Sequence, residues 1–292
     1  MAALIIGCGY LGLRLAFKYR SMGLSAVGTV GSPEGVQRCS ASGIDAKIWN
    51  LDRPAGAPVD LSGRDLFYLA PPPGRGIDES RVGHFLSALG QQPRRIVYLS
   101  TTGVYGDCAG AWIDESRPAA PSADRARRRW DGEERFRAWR RDAAGELVIL
   151  RVAGFYGPGR LPLKRLREGA PLVREDEAPF SNRIHIDDLV TAVCAAMFRG
   201  RDGEIYNICD GNPTTMTDYF LRVAECAGIP APPLISLAEG ERRLSPGMVS
   251  YMRESRRLDN RKMIEELGVV LRYPTLGQGL PTCIPESLSD RR

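Results

Sequence analysis

The sequence predicts an α/β fold, a doubly wound parallel sheet with a small C-terminal cap over its ligand edge. Two observations carry this. The chain opens on an apolar run, Ala3-Leu4-Ile5-Ile6, which passes directly into Gly7-Cys8-Gly9-Tyr10-Leu11-Gly12 and a helical pattern. Short apolar runs and helical patterns then alternate up to residue 208, after which the pieces become less regular.

The G-x-G-x-x-G spacing between a strand and a helix is the mark of a Rossmann-type dinucleotide site. The three glycines meet three different needs. Gly7 allows the tight turn, Gly9 lets backbone approach a pyrophosphate, and Gly12 lets the helix pack on the sheet. The first N–H groups of the helix, at Tyr10 and Leu11, face the phosphates. A tight turn with no ligand is the plain alternative. The expected division is a dinucleotide-binding part at 1–155, to which 183–210 return, and a substrate-binding cap at 156–182 and 211–285.

Composition narrows the class. A chain of 292 residues, 43% hydrophobic, holds ample core material, and its net charge of +5 is mild. No apolar run reaches 18 residues, so no membrane span is expected. The opening residues read as a core strand rather than a signal peptide. Seven scattered cysteines without a C-x-x-C pair, and two histidines, His84 and His185, argue for reduced thiols in the cytoplasm and against a metal site. Nucleic acid is not an expected partner, because no aromatic platform accompanies the arginines at 125–129.

The elements follow in order. Ser25 to Val30 reads as a second strand, ending in Gly31-Ser32-Pro33. An acidic residue there would hold the ribose of NAD, and an arginine would favour NADP. With no acid present and Ser32, Arg14 and Arg38 in reach, NADP is favoured, and NAD stays open. Ala46 to Asp52 reads as a third strand, where Asp52 either touches adenine or is a solvated strand end. Leu66 to Ala70 is a fourth, stopped by Pro71-Pro72-Pro73-Gly74 with Ala70 beside the cofactor groove. A helix is expected over 77–89, its His84 on the surface. Arg95 to Ser100 is a further strand, leading to hydroxyls at Thr101 and Thr102. A polar helix is expected over 122–141 and a buried strand over 147–152. A basic loop at 160–182 then precedes an apolar helix at 189–198 and a strand at 204–208. Helices near 215–227 and 258–267 complete the chain.

Taken together, several stretches resemble the extended and atypical short-chain dehydrogenase/reductases of the NAD-dependent epimerase/dehydratase family. They are Gly7 to Gly12, Ser100 to Gly106, Arg151 with Tyr156-Gly157-Pro158-Gly159, Arg183-Ile184-His185-Ile186-Asp187-Asp188, Tyr206-Asn207 and Arg257-Leu258-Asp259-Asn260. The resemblance implies that the strand-end hydroxyl, Thr101, orients the reacting oxygen. It also implies a Tyr-x-x-x-Lys pair about two dozen residues later, with an acid four residues after the lysine. Glu133 fits the acid, which places arginines, Arg125 and Arg129, at the tyrosine and lysine positions.

Arginine cannot act as a general acid near neutrality. Arg129 keeps a cationic role toward the cofactor ribose, and Arg125 either binds an anionic substrate group or is solvated. Tyr105 and His185 are the remaining candidates for proton transfer, the alternative for His185 being a structural role. Thr102, Arg160 and Arg183 join Arg125 as expected substrate contacts. The first functional reading is an NAD(P)-dependent oxidoreductase or epimerase-like enzyme acting on a small polar substrate, anionic in one version. The second is a non-catalytic dinucleotide-binding sensor or assembly protein. A homodimer is compatible with either.

Overall fold

A computed structural model of the chain describes residues 2–143 and 145–284. Seven parallel strands form the central sheet: β1 Ala3–Ile6, β2 Ala26–Val30, β3 Ala46–Ile48, β4 Asp65–Tyr68, β5 Arg95–Thr101, β6 Glu146–Val152 and β7 Ile205–Ile208. Their spatial order is β3-β2-β1-β4-β5-β6-β7. The chain builds outward from β1 in one direction and then crosses to β4 on its other side. The crevice for a ligand therefore opens at the carboxyl ends of β1 and β4, where the order reverses.

Alternation along the inner strands feeds two cores. Ile5, Phe67, Val97 and Leu150 point to one face, beneath helices α1 Tyr10–Ser21 and α5 Ile186–Arg199. Leu4, Leu66, Ile96 and Ile149 point to the other, beneath α3 Ser80–Ser87 and α4 Asp124–Ala143, which contribute Phe85 and Phe136. Helix α2 Pro33–Ala41 links β2 to β3. Burial on both faces explains why the strands read as continuous apolar runs. Each of these fully buried side chains contributes roughly 1.5–3 kcal/mol.

The third strand stops at Ile48 rather than at Asp52, because the Asn50 side chain accepts from the Asp52 N–H at 2.9 Å and turns the chain away. The apolar helix starts earlier than expected, at Ile186, where the His185 ring accepts from the Asp187 N–H.

The cap has its own apolar centre, formed by Tyr156, Leu172, Phe220, Val223, Leu276 and Leu280. Its helices include α6 Met216–Cys226, α7 Leu237–Arg243 and α8 Pro246–Met252. The segment 211–285, expected wholly in the cap, divides. Helix α9 Arg261–Leu267 buries Met263 and Leu267, four residues apart on one face, in the core shared by α1 and α5. Residues 257–258 pair with Trp112–Ile113 instead of starting that helix. Pro285, the last residue of the expected cap, lies outside the described residues.

Candidate active site

The glycine loop realises three separate constraints. Gly7 has φ +87°, and a Cβ on it would lie 2.6 Å from the Ala70 nitrogen, so β1 and β4 close tightly here. Above Gly9 nothing lies within 4 Å of a Cβ position, which leaves backbone open to a ligand. At Gly12 a Cβ would meet the Gly7 carbonyl and Ile5 at 3.1 Å, the close packing of helix on strand. Helix α1 begins after Gly9 with no side-chain cap and no acidic residue in its first turn. Its free N–H groups and dipole therefore face the crevice.

Around this loop the expected cofactor residues take definite partners. Ser32 caps α2, accepting from the Gly35 N–H at 3.3 Å. Arg14 donates to the Tyr10 carbonyl at 3.1 Å and lies over the Tyr10 ring, 3.8 Å from its centroid. Asp52 is exposed and held by Arg81 at 2.6 Å, which keeps its carboxyl below the usual range. Arg81 also donates to the Pro71 carbonyl at 2.9 Å, tying the end of the third strand to the turn after β4. Arg129 donates to the Ala70 carbonyl at 3.1 Å, at the rim of the groove.

Between the ends of β5 and β6 and the cap lies a cleft of about 610 Å³. Thr101, Thr102, Arg125, Arg129, Arg160 and Arg183 all line it. Residues up to 82 positions apart, on strand ends, a helix and the basic loop, thus line one cleft. Thr101 accepts from the Gly103 N–H at 3.2 Å, which leaves its hydroxyl proton to donate. Arg183 donates to the Asn182 carbonyl at 3.0 Å and lies 4.3 Å from the Tyr219 ring centre. Burial pushes its guanidinium pKa down. Behind it stands buried Asp210, whose Oδ2 has no hydrogen-bond partner among the described residues. Burial pushes that carboxyl up to about 7.

Arg125 does reach the cleft but is already engaged. It donates to Ser250, lies 3.7 Å from Glu254 and stacks 3.7 Å from the Tyr251 ring centre. These cap partners, with Tyr219 and Arg256, have no local signal in the sequence. Five arginines line the cleft, Arg256 included, against the single carboxylate of Glu254. The field favours an anionic ligand.

Two expected proton carriers lie elsewhere. Tyr105 is fully buried and donates to Asn207 Oδ1 at 2.8 Å, with Arg151 over its ring, and burial raises its pKa to about 12. It does not line the cleft. His185 is also buried, outside the cleft lining. Its Nδ1 accepts from the Asp187 N–H at 3.2 Å, while Nε2 faces Thr282 and Cys283 at 3.2 and 3.5 Å. Desolvation lowers its pKa and the neutral ring caps α5.

Sequence reasoning did not foresee the support under Thr101. Glu133, fully buried, accepts from Ser100 at 2.6 Å and from Arg151 at 3.1 and 2.8 Å. This buried pair ties α4 to the ends of β5 and β6, so the hydroxyls sit on a fixed frame. Removing one partner from such a pair costs about 3–5 kcal/mol. The spacing that placed Glu133 after Arg129 was the available signal. Among the described residues no cluster of His, Cys, Asp and Glu could hold a metal, and no helix is long and apolar enough to cross a membrane.

Residues 82–209 match the sequence model of the NAD dependent epimerase/dehydratase family. Protein YeeZ of Escherichia coli (strain K12) is 27% identical over 282 residues, covering 92% of this chain and 95% of YeeZ. A functionally unknown conserved protein from Silicibacter pomeroyi DSS superposes with a TM-score of 0.82 at 32% identity, over 96% of each chain. UDP-glucuronic acid 4-epimerase from Bacillus cereus, in complex with NAD, superposes with a TM-score of 0.75 at 19% identity, over 97% of this chain and 95% of that one. The last likeness is one of fold.

Proposed function

Because the chain belongs to the NAD-dependent epimerase/dehydratase family, we propose that it binds a nicotinamide dinucleotide along the sheet edge and acts as an oxidoreductase or epimerase-type enzyme on a small anionic substrate. The observation that carries this reading is the convergence of Thr101, Thr102, Arg129 and Arg183 on one cleft. The groove residues fit a dinucleotide: Gly9 is open, α1 is uncapped, and Gly7 and Gly12 are closely packed. When bound, the nicotinamide supplies or accepts the hydride. The Thr101 hydroxyl donates to the reacting oxygen, Arg183 holds the anionic group, and Arg129 places its charge beside the ribose. With Tyr105 and His185 sealed, the proton comes from water or from the substrate itself.

NADP is the proposed cofactor, although the Bacillus cereus neighbour holds NAD. No acidic residue lies in β2 or at Gly31–Ser32, Glu34 stands in the first turn of the following helix, and Arg38 is exposed on that same helix. Fluorescence titration with NADPH and NADH, followed by turnover assays on UDP-glucuronic acid and a panel of keto acids, tests the reading. Thr101→Ala should lower turnover by about 10²–10³-fold while dinucleotide affinity stays within about twofold. Full activity in that variant overturns the placement. One observation favours a second reading, a dinucleotide-binding sensor. Arg125 stands where a proton-transferring tyrosine is implied and is occupied by the cap. Tight dinucleotide binding with no turnover of any panel substrate supports that reading.

A further inference from the structure

The strap from Tyr156 to Arg160 crosses the start of α1. Tyr10, the first residue of that helix, donates its hydroxyl to the Pro158 carbonyl at 2.9 Å. A Cβ on Gly157 would lie 2.6 Å from the same hydroxyl, so glycine is what lets the strap come this close. Arg160 closes the turn, its N–H donating to the Gly157 carbonyl at 3.0 Å. Its guanidinium lies 5.2 Å from the Tyr10 ring centre and 4.9 Å from that of Phe155. It is exposed and forms no ion pair among the described residues. Beside Tyr10 are the uncapped N–H groups of α1 and the open space over Gly9.

We propose that Arg160 is the cationic clamp on the pyrophosphate of the bound dinucleotide, not a substrate contact. This rests on the dinucleotide reading given above. A pyrophosphate carries two negative charges. The helix end answers with roughly half a positive charge, and no acidic side chain stands in its first turn. The Arg160 guanidinium adds a full positive charge and bonds phosphate oxygens in a bidentate manner. The Tyr10–Pro158 bond fastens the strap to the very helix that carries the glycine loop. The cation is therefore placed before the ligand arrives, and little ordering is lost on binding. Arg183, deeper in the cleft and bonded on the cap side, is left to hold the substrate.

Titrations of the full chain with NADPH, NADH, ADP-ribose and adenosine test the assignment. Arg160→Ala should weaken the three diphosphate ligands about tenfold to a hundredfold and leave adenosine within twofold. Added salt should weaken wild-type binding more steeply than binding by the variant. Arg160→Lys should recover part of the loss, and Tyr10→Phe, which frees the strap, should show a smaller one. An unchanged unfolding midpoint for ligand-free Arg160→Ala separates these effects from misfolding. Wild-type binding that Arg160→Ala leaves within twofold for all three ligands overturns the clamp alone. A rise in substrate KM without loss of dinucleotide affinity does so too, and returns Arg160 to the substrate. Failure of the wild-type chain to bind any of the three overturns the dinucleotide reading with it.

Discussion

Gly7 and Gly9 stand two residues apart and answer to different constraints. At Gly7 the backbone has φ +87° and the Ala70 nitrogen occupies the place of a Cβ. Gly7→Ala adds left-handed strain to a contact that cannot relax, so about 2–5 kcal/mol of stability should be lost. At Gly9 the space is free. Gly9→Ala should change stability by less than about 1 kcal/mol yet weaken NADPH binding, because its methyl enters the room left for phosphate. Urea denaturation and NADPH titration of both variants separate the two roles, and a Gly9→Ala protein that binds as wild type does would deny Gly9 a ligand. These glycines were legible from sequence because a turn, a gap and a close approach are local. Tyr105 and His185 were not. Their partners, Asn207 and Cys283, lie 102 and 98 residues away, and only the folded chain decides which way each side chain points.

At the scale of elements, α3 and α4 meet around a buried carboxyl. Glu79 precedes α3 and is fully buried, with no side-chain hydrogen-bond partner among the described residues. Burial raises its pKa from 4.5 to about 7, against the pull of Arg129 and Arg81. A raised pKa means that the folded state holds the proton more tightly. Its contribution to stability is complete below pH 4.5 and is lost as pH rises through about 7. Glu79→Gln removes that dependence. Between pH 4.5 and 8 the wild type should lose about 3 kcal/mol relative to the variant, read from urea midpoints at each pH; parallel curves would contradict it. The long elements were readable from their periodicity, and the sheet order follows from parallel strands joined by helices. The seven-residue helices α7 and α8 were too short for a period to show. Their start signals were nonetheless present, Ser236 with Glu239 in a capping box and Ser245 before Pro246.

At the scale of the whole molecule, the cleft exists because cap and sheet domain are held together along its rim. Its lining runs from Pro72 to Arg256, so no window of sequence contains it. The arginines could be named beforehand, but not the residues they face. Arg125 illustrates the point. Its place in the sequence suggests a lost acid, and its place in the fold makes it a latch. From α4 it bonds Ser250, stacks on Tyr251 and faces Glu254. Glu254 in turn accepts from Ser122 at 3.2 Å and from Arg256 at 3.1 Å, and Arg256 reaches the Gly106 carbonyl. One partly buried seam thus joins α4 to α8 and to the loop after β5. Arg125→Ala should leave the central sheet intact and loosen this seam. Amide exchange over residues 246–256 should accelerate about fivefold to twentyfold, the equivalent of about 1–2 kcal/mol of local opening, while β5 and β6 exchange as before. Arg125→Lys keeps the charge but not the planar fork and should fall between the two. Unchanged exchange over 246–256 in Arg125→Ala would show that the cap is held by its apolar centre alone. Arg125 would then be left free to serve the ligand.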